Sequence, residues 1–174
     1  MSTEALQPLL DALPDVARDL KLNIGTLLAE SALSPSQRWA TALASAYAAR
    51  NEKLRDAVIA ASKEHLEAGA FEDARAAAAL MAMNNVFYRF KHFMGEGAYE
   101  KKPARLRMNR IAKTEGPKAD FELYCLAVSA INGCEACVKA HEAAVLKAGM
   151  TEDHVWDAVR IASVVNAIAV SLEV

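Results

Sequence analysis

The chain has 174 residues, of which 53% are hydrophobic and 24% charged, and its formal net charge at pH 7 is −2. This near balance of charge provides no basic face, so we expect neither nucleic acid nor a membrane surface as a partner. Alanine accounts for 37 residues, whereas glycine (7) and proline (5) are sparse. Because alanine is the best helix former and strands favour β-branched and aromatic residues, the composition predicts an all-α fold.

The composition also bears on where the protein works. No apolar run approaches the 18 or so residues that a membrane span needs. The N-terminal stretch MSTEALQPLLDALPD carries acidic residues and lacks the cationic and apolar regions of a signal peptide. The three cysteines are an odd number, and a helical domain of this length needs no disulfide framework. We therefore expect a reducing cytoplasm, where two close cysteines indicate redox chemistry or metal binding.

Sequence signals divide residues 1–94 into helices. The segment Ser34-Pro35-Ser36-Gln37 has the pattern of a capping box with proline at the first helical position. Gly69 is interpreted as the residue that ends the second helix. Three helices are predicted here, over residues 35–49, 51–68 and 73–90. We interpret residues 1–94 as an N-terminal helical repeat without catalytic residues.

Residues 95–118 form a predicted connection, rich in glycine, proline and charge, with one short helix around residues 105–111. The C-terminal helical repeat, 119–174, follows. Its three predicted helices span residues 120–131, 134–148 and 151–171, with turns at Asn132-Gly133 and at Gly149. Residues 66–73 and 146–153 match at five of eight positions, which suggests an internal duplication with chemistry only in the second copy.

The chemically informative residues are Cys134, Cys137 and His141. On a helix they share one stripe, and His141 lies roughly 6 Å along the axis from Cys137 but about 10.5 Å from Cys134. Helical side chains lean towards the N-terminus, so the imidazole should serve Cys137. Glu122 precedes the turn by about as many residues as His141 follows it, so the two should face each other in a helical hairpin. This predicts a proton relay in which Glu122 orients His141, and His141 takes a proton from Cys137 directly or through water.

Several interpretations of the cysteine pair stay open on residue patterns alone. A reversible dithiol/disulfide is favoured, and its attacking sulfur could be Cys137, beside His141, or Cys134, which the helix N-terminus would stabilise as a thiolate. Structural zinc needs four ligands, and only Cys125 and His141 remain to complete such a set. Covalent haem needs histidine directly after the second cysteine, where this chain has Val138. The pair could also be two core cysteines, as we interpret Cys125.

Two features of the predicted third helix are less specific. Met81 is interpreted as core filler. The dipeptide Asn84-Asn85 lies between apolar residues, which is unusual inside a helix. It predicts either a buried polar contact or a subunit interface.

The spacing E-x₁₁-C-x₂-C-x₃-H, from Glu122 to His141, is specific. Together with the segments 81–90, 106–112, 120–124 and 126–142, it resembles the alkyl hydroperoxidase AhpD family. That family belongs to an all-α superfamily with the carboxymuconolactone decarboxylases. The resemblance implies a cytoplasmic antioxidant enzyme, a lipoyl-dependent peroxidase that reduces alkyl hydroperoxides. It also implies a duplicated helical subunit, a homotrimer with exchanged helices, and no bound cofactor or metal.

The resemblance implies partners and residue roles as well. The partners are an AhpC-type peroxiredoxin, which is reduced here, and a dihydrolipoyl acyltransferase, recharged by lipoamide dehydrogenase, whose lipoyl group supplies electrons. By position, Glu122 and His141 match the proton relay, and Cys134 matches the resolving cysteine. Cys137 matches the cysteine that becomes sulfenic acid and forms the interchain disulfide with the peroxiredoxin. Ala136 stands where some members carry a histidine.

Two other classes of protein remain as alternatives. A relative resembling the decarboxylases would use the same fold without redox chemistry. A non-catalytic helical protein would use the cysteine pair to bind metal or serve only as an adaptor.

Overall fold

The protein is described from a computed structural model that covers residues 4–174, and within this range it contains helices and no strands. The all-α prediction is therefore confirmed. The α-helices of this range are α1 (Gln7–Asp11), α2 (Arg18–Ala29), α3 (Pro35–Ala49), α4 (Glu52–Ser62), α5 (Ala68–Met94), α6 (Lys118–Ile131), α7 (Glu135–Lys147) and α8 (Glu152–Ser171). None of them combines the length and the hydropathy that crossing a bilayer requires.

The capping box predicted at the start of α3 is present. The Ser34 hydroxyl accepts a hydrogen bond from the Gln37 backbone N–H at 3.2 Å, and the Gln37 side chain accepts one from the Ser34 N–H at 2.9 Å. Two N–H groups that lack partners inside the helix are thereby satisfied. The helix ends where predicted, at Ala49, and Arg50 follows in a left-handed conformation.

The predicted helix end at Gly69 is wrong. Helix α4 ends earlier, at Ser62, and Gly69 lies in the first turn of α5. A Cβ atom on Gly69 would lie 3.2 Å from Cβ of Glu115, so the glycine permits close approach of the loop before α6. Helix α5 is also longer than predicted, because it begins at Ala68 and reaches Met94.

The connection between α5 and α6 folds back onto α5. In place of the short helix predicted around residues 105–111 there is a 3₁₀ turn over Asn109–Ala112. The buried carboxylate of Asp73 accepts hydrogen bonds from the backbone N–H groups of Glu115 and Gly116 and from the guanidinium of Arg110. A buried carboxylate needs such partners, and satisfying it fixes the loop that leads into α6.

Helix α6 lies at the centre of the bundle and packs against α3, α5, α7 and α8. Seven consecutive residues, Leu123–Ser129, are fully or almost fully buried, as expected for a helix with neighbours on every side. Helix α7 returns antiparallel to α6, so the α6–α7 hairpin carries its side chains against α5. This arrangement brings three helices to the cysteine pair.

Candidate active site

The turn between α6 and α7 sets the position of Cys134. Gly133 adopts φ +65°, a left-handed conformation that favours glycine. The N–H of Gly133 donates to the carbonyl of Ala130, and the N–H of Cys134 donates to that of Ser129, each at 3.1 Å, which completes a Schellman motif. Cys134 is at the same time the N-cap of α7, and its carbonyl accepts the Val138 N–H at 2.9 Å.

Side chains of α5 hold this turn in place. Asn85 donates a hydrogen bond to the Ser129 hydroxyl and accepts one from the side chain of Asn132, both at 2.9 Å. The guanidinium of Arg89, one helical turn further along α5, donates to the carbonyl of Asn132. Asn85 is only 1% exposed, so it provides the buried polar contact that the sequence offered as one of two interpretations.

Cys134 and Cys137 form a disulfide at the start of α7, with their Cα atoms 5.3 Å apart. Cys134 is completely buried, whereas Cys137 is 6% exposed and lines a cavity. A reactant can therefore approach Cys137 through the cavity, whereas Cys134 has no exposed surface. Within residues 4–174, no group of three or more His, Cys, Asp or Glu side chains is arranged so that it could hold a metal ion such as zinc.

Glu122 and His141 are in direct contact across the α6–α7 hairpin. Oε2 of Glu122 lies 2.6 Å from Nδ1 of His141, and Oε1 lies 2.7 Å from the ammonium of Lys118. The hydrogen bond from His141 lowers the pKa of Glu122 to about 2, with Lys118 acting in the same direction and burial opposing both. A charged carboxylate against Nδ1 favours the tautomer of His141 that carries a proton on that nitrogen.

The other ring nitrogen of His141, Nε2, lies against α5. Nε2 is 3.2 Å from Sδ of Met81, which is completely buried. A thioether only accepts hydrogen bonds, and weakly, so it can partner Nε2 when that nitrogen carries a proton. Met81 is a core residue, as the sequence predicted, and it also contacts His141.

A cavity of about 240 Å³ lies over Cys137 and His141. Its walls are mainly apolar, and they come from α5, the connecting segment and α7. The lining residues are Met81, Asn84, Tyr88, Met108, Ile111, Ala136, Cys137, Ala140 and His141. Asn84 and Tyr88 were not predicted as site residues, although their spacing from Met81 places all three on one face of a helix.

Cys125, the third cysteine, is completely buried and free in this structure. Burial is the largest cause that raises the pKa of its thiol, and the charge of Glu122 acts in the same direction. A protonated thiol without solvent contact is unreactive, which agrees with its interpretation as a core residue.

The fold and the site define an all-α thiol–disulfide protein with a CxxC pair at a helix start. Residues 98–173 match the model of the Carboxymuconolactone decarboxylase family. The chain is 56% identical over 169 residues to the alkyl hydroperoxide reductase AhpD of Anaeromyxobacter dehalogenans (strain 2CP-C), covering 97% of this chain and 91% of that protein. It is 49% identical over 173 residues to the AhpD of Rhodospirillum centenum, covering 99% and 91%. The chain belongs to the AhpD family of alkyl hydroperoxide reductases, and the predicted resemblance is confirmed.

Proposed function

We propose that this protein is an antioxidant enzyme that reduces alkyl hydroperoxides with Cys134 and Cys137, assisted by Glu122 and His141. The observation that carries the proposal is that the accessible end of the disulfide, Cys137, opens onto an apolar cavity that also holds His141. A small organic hydroperoxide fits such a cavity, since its alkyl group is apolar and its O–O bond must reach one sulfur. The names of the AhpD relatives support the same activity.

The reaction begins with the reduced pair. His141 takes the proton of the Cys137 thiol, and the thiolate attacks the terminal oxygen of R–O–O–H. The O–O bond breaks, Cys137 becomes a sulfenic acid, and the released alkoxide takes the proton from His141 to give an alcohol. The Cys134 thiol then attacks the sulfenic sulfur, which forms the disulfide and releases water. Two electrons have passed from the dithiol to the peroxide.

The activity is tested by counting free thiols in the reduced protein before and after one equivalent of cumene hydroperoxide. We expect two thiols to disappear and Cys125 to remain, because it is buried and outside the cavity. Dihydrolipoamide should restore both thiols. A variant in which serine replaces both Cys134 and Cys137 is the control and should consume no peroxide. Unchanged thiol content in the wild type would contradict the proposal, and peroxide consumption by the double variant would show that the cysteine pair is not the reductant.

The electron donor that we propose is a dihydrolipoyl group of an acyltransferase recharged by lipoamide dehydrogenase. One of its thiolates would attack Cys137, forming a mixed disulfide, and its second thiol would release the reduced enzyme and a lipoyl disulfide. An AhpC-type peroxiredoxin is the proposed second partner, joined transiently through an interchain disulfide with Cys137. The contact of Cys137 with the cavity and the complete burial of Cys134 support both exchanges. Electron transfer from dihydrolipoamide to the oxidised peroxiredoxin, dependent on this protein, is the measurement.

We further propose that the protein works in the cytoplasm as a homotrimer. The last turns of α5 support association, because Val86, Phe90 and Phe93 share one face there and are 59%, 47% and 75% exposed. Light scattering coupled to size exclusion measures the mass of the assembly. Phe93→Glu should place a charge in the interface and give a smaller species, whereas Asn23→Ala, on exposed α2, should not. A monomeric wild type would contradict the proposed assembly.

A further inference from the structure

Asn84 and Asn85 are adjacent on α5, but only the side chain of Asn85 has its hydrogen bonds satisfied. The amide of Asn85 is partnered at both ends, by Ser129 and by Asn132. Oδ1 of Asn84 is buried and has no hydrogen-bond partner among residues 4–174, and the residue as a whole is 4% exposed. Native structures rarely leave a buried carbonyl oxygen in this state, so the group calls for an explanation in function.

The position of Asn84 supplies that explanation. Asn84 lines the same cavity as Cys137 and His141. It lies one helical turn along α5 from Met81, whose sulfur contacts Nε2 of His141. Its amide is thus close to the proposed proton carrier, in a cavity whose other walls are mainly apolar. Oδ1 itself has almost no accessible surface in the empty cavity, so the amide must turn about its last side-chain bond to offer a ligand this acceptor, for which no donor among residues 4–174 competes.

We infer that Asn84 is a substrate-positioning residue that accepts a hydrogen bond from the O–H group of the hydroperoxide. This inference rests on the proposed function, and it names the residue that makes a polar contact with the substrate in the same cavity. A hydroperoxide carries one donor, on the terminal oxygen that the Cys137 thiolate attacks. Holding this hydrogen on Oδ1 of Asn84 presents that oxygen to the sulfur and leaves the O–R bond directed to the apolar walls. The atoms and electrons of the reaction are unchanged, because Asn84 only orients the peroxide.

The substitution Asn84→Leu tests the inference because leucine keeps a similar volume and removes both polar groups of the amide. In single-turnover reactions, the rate of thiol loss with cumene hydroperoxide should fall about ten- to hundredfold, as expected for one lost hydrogen bond in a transition state. Reduction of the variant's disulfide by dithiothreitol should stay within about twofold of the wild-type rate. The Tm should be equal to or above that of the wild type, because an unsatisfied buried group is removed.

Asn85→Leu is the comparison that separates positioning from structure. It removes the partner of the Ser129 hydroxyl and of the Asn132 side-chain amide and should lower the Tm, the opposite of the effect expected for Asn84→Leu. Asn23→Ala, on the surface of α2, should leave both rates and the Tm unchanged. This pattern distinguishes a side chain that serves substrate from one that serves the fold.

The remaining outcomes each overturn a stated claim. A wild-type peroxide rate in Asn84→Leu would overturn the role of Asn84, and so would equal losses in the peroxide and dithiothreitol reactions. A lower Tm with an unchanged rate would assign Asn84 to the fold. If the wild-type protein itself lost no thiols to the peroxide, the proposed function would fail, and this inference with it.

Discussion

The side chain of Asn132 donates a hydrogen bond to Oδ1 of Asn85, which connects the turn before the cysteine pair to the middle of helix α5. The two residues are 47 positions apart in the chain. Asn85 uses its amide nitrogen for Ser129, in the last turns of α6, so one side chain holds both ends of the bend. The location of the disulfide therefore depends on a helix that contributes no cysteine.

Asn85→Ala should destabilise the protein by about 2–3 kcal/mol, because the Ser129 hydroxyl and the Asn132 amide lose their buried partner. The free energy of unfolding from urea titrations measures this effect. Asn23→Ala removes an exposed amide from α2 and should change that free energy by no more than about 0.5 kcal/mol. Equal stabilities of the two variants would show that the contact contributes little.

Glu122→Gln should change how stability depends on pH. The folded-state pKa of Glu122, about 2, lies below the ordinary value of 4.5, mainly because His141 donates a hydrogen bond to it. A lowered carboxyl pKa stabilises the fold above about pH 4.5, and this contribution is lost as the pH falls from 4.5 towards 2. The gap in unfolding free energy between wild type and Glu122→Gln should therefore narrow across this range.

Urea titrations at several pH values from 6 to 2.5 measure that gap. Glu142→Gln is the control, since Glu142 follows His141 on α7 and has no described hydrogen bond or ion pair within residues 4–174. A gap that stays constant through acid pH would mean that the Glu122–His141 pair does not stabilise the fold.

His141→Ala should slow the oxidation of the cysteine pair by alkyl hydroperoxide by about 10²–10⁴-fold, because general-base help to Cys137 is lost. The initial rate of thiol loss is the measurement. The circular dichroism spectrum should stay that of the wild type, since His141 lies at the edge of a cavity and not in the central core. His154→Ala, at the start of α8, is the matched histidine control. A near-wild-type rate in His141→Ala would remove the relay from the mechanism.

The two sulfurs should react differently when each is studied alone. Glutathione disulfide should modify Cys137 in the reduced Cys134→Ser variant at least about tenfold faster than it modifies Cys134 in Cys137→Ser, because only Cys137 meets the cavity. Mass spectrometry of the adducts measures both rates. Faster modification of Cys134 would show that the helix N-terminus decides the reactivity, the alternative that the sequence left open.

Much of the site follows from local rules. The capping residues, the glycine of the turn and the periodicity of α7 depend on neighbours a few positions away, and they locate Cys134, Cys137 and His141. The prediction that Glu122 faces His141 needs one further assumption, which is that α6 and α7 form a short antiparallel hairpin. Their roles in proton transfer stay predictions for the variants above to test.

The contribution of α5 could not be predicted because its contacts join distant parts of the chain. His141 meets Met81 across 60 positions, and nothing local to either residue indicates that contact. Gly69 is a second example. The sequence alone does not distinguish a glycine that ends a helix from one that makes room for a neighbouring loop. Helices α1 and α2 were not among the predicted elements.

The internal duplication also stays a prediction. The spacing of the helices agrees with two similar halves, but not with the offset of 80 residues at which residues 66–73 match 146–153. Helices α3, α4 and α5 begin 83 or 84 residues before α6, α7 and α8, respectively. Helix α4 starts after the N-cap residue Asn51, and α7 starts after Cys134. If the two halves are aligned by these helices, the capping residue Asn51 of the first half corresponds to Cys134 of the second.

Cys134 completes the cap of α6 and opens α7, so its backbone belongs to two helix ends at once. Moving it would break hydrogen bonds in both helices, and neither set involves the sulfur. We therefore expect the main chain to keep one shape whether the sulfurs are joined or apart. Each catalytic cycle then needs only side-chain rotation, and the dithiol stays ready to close again.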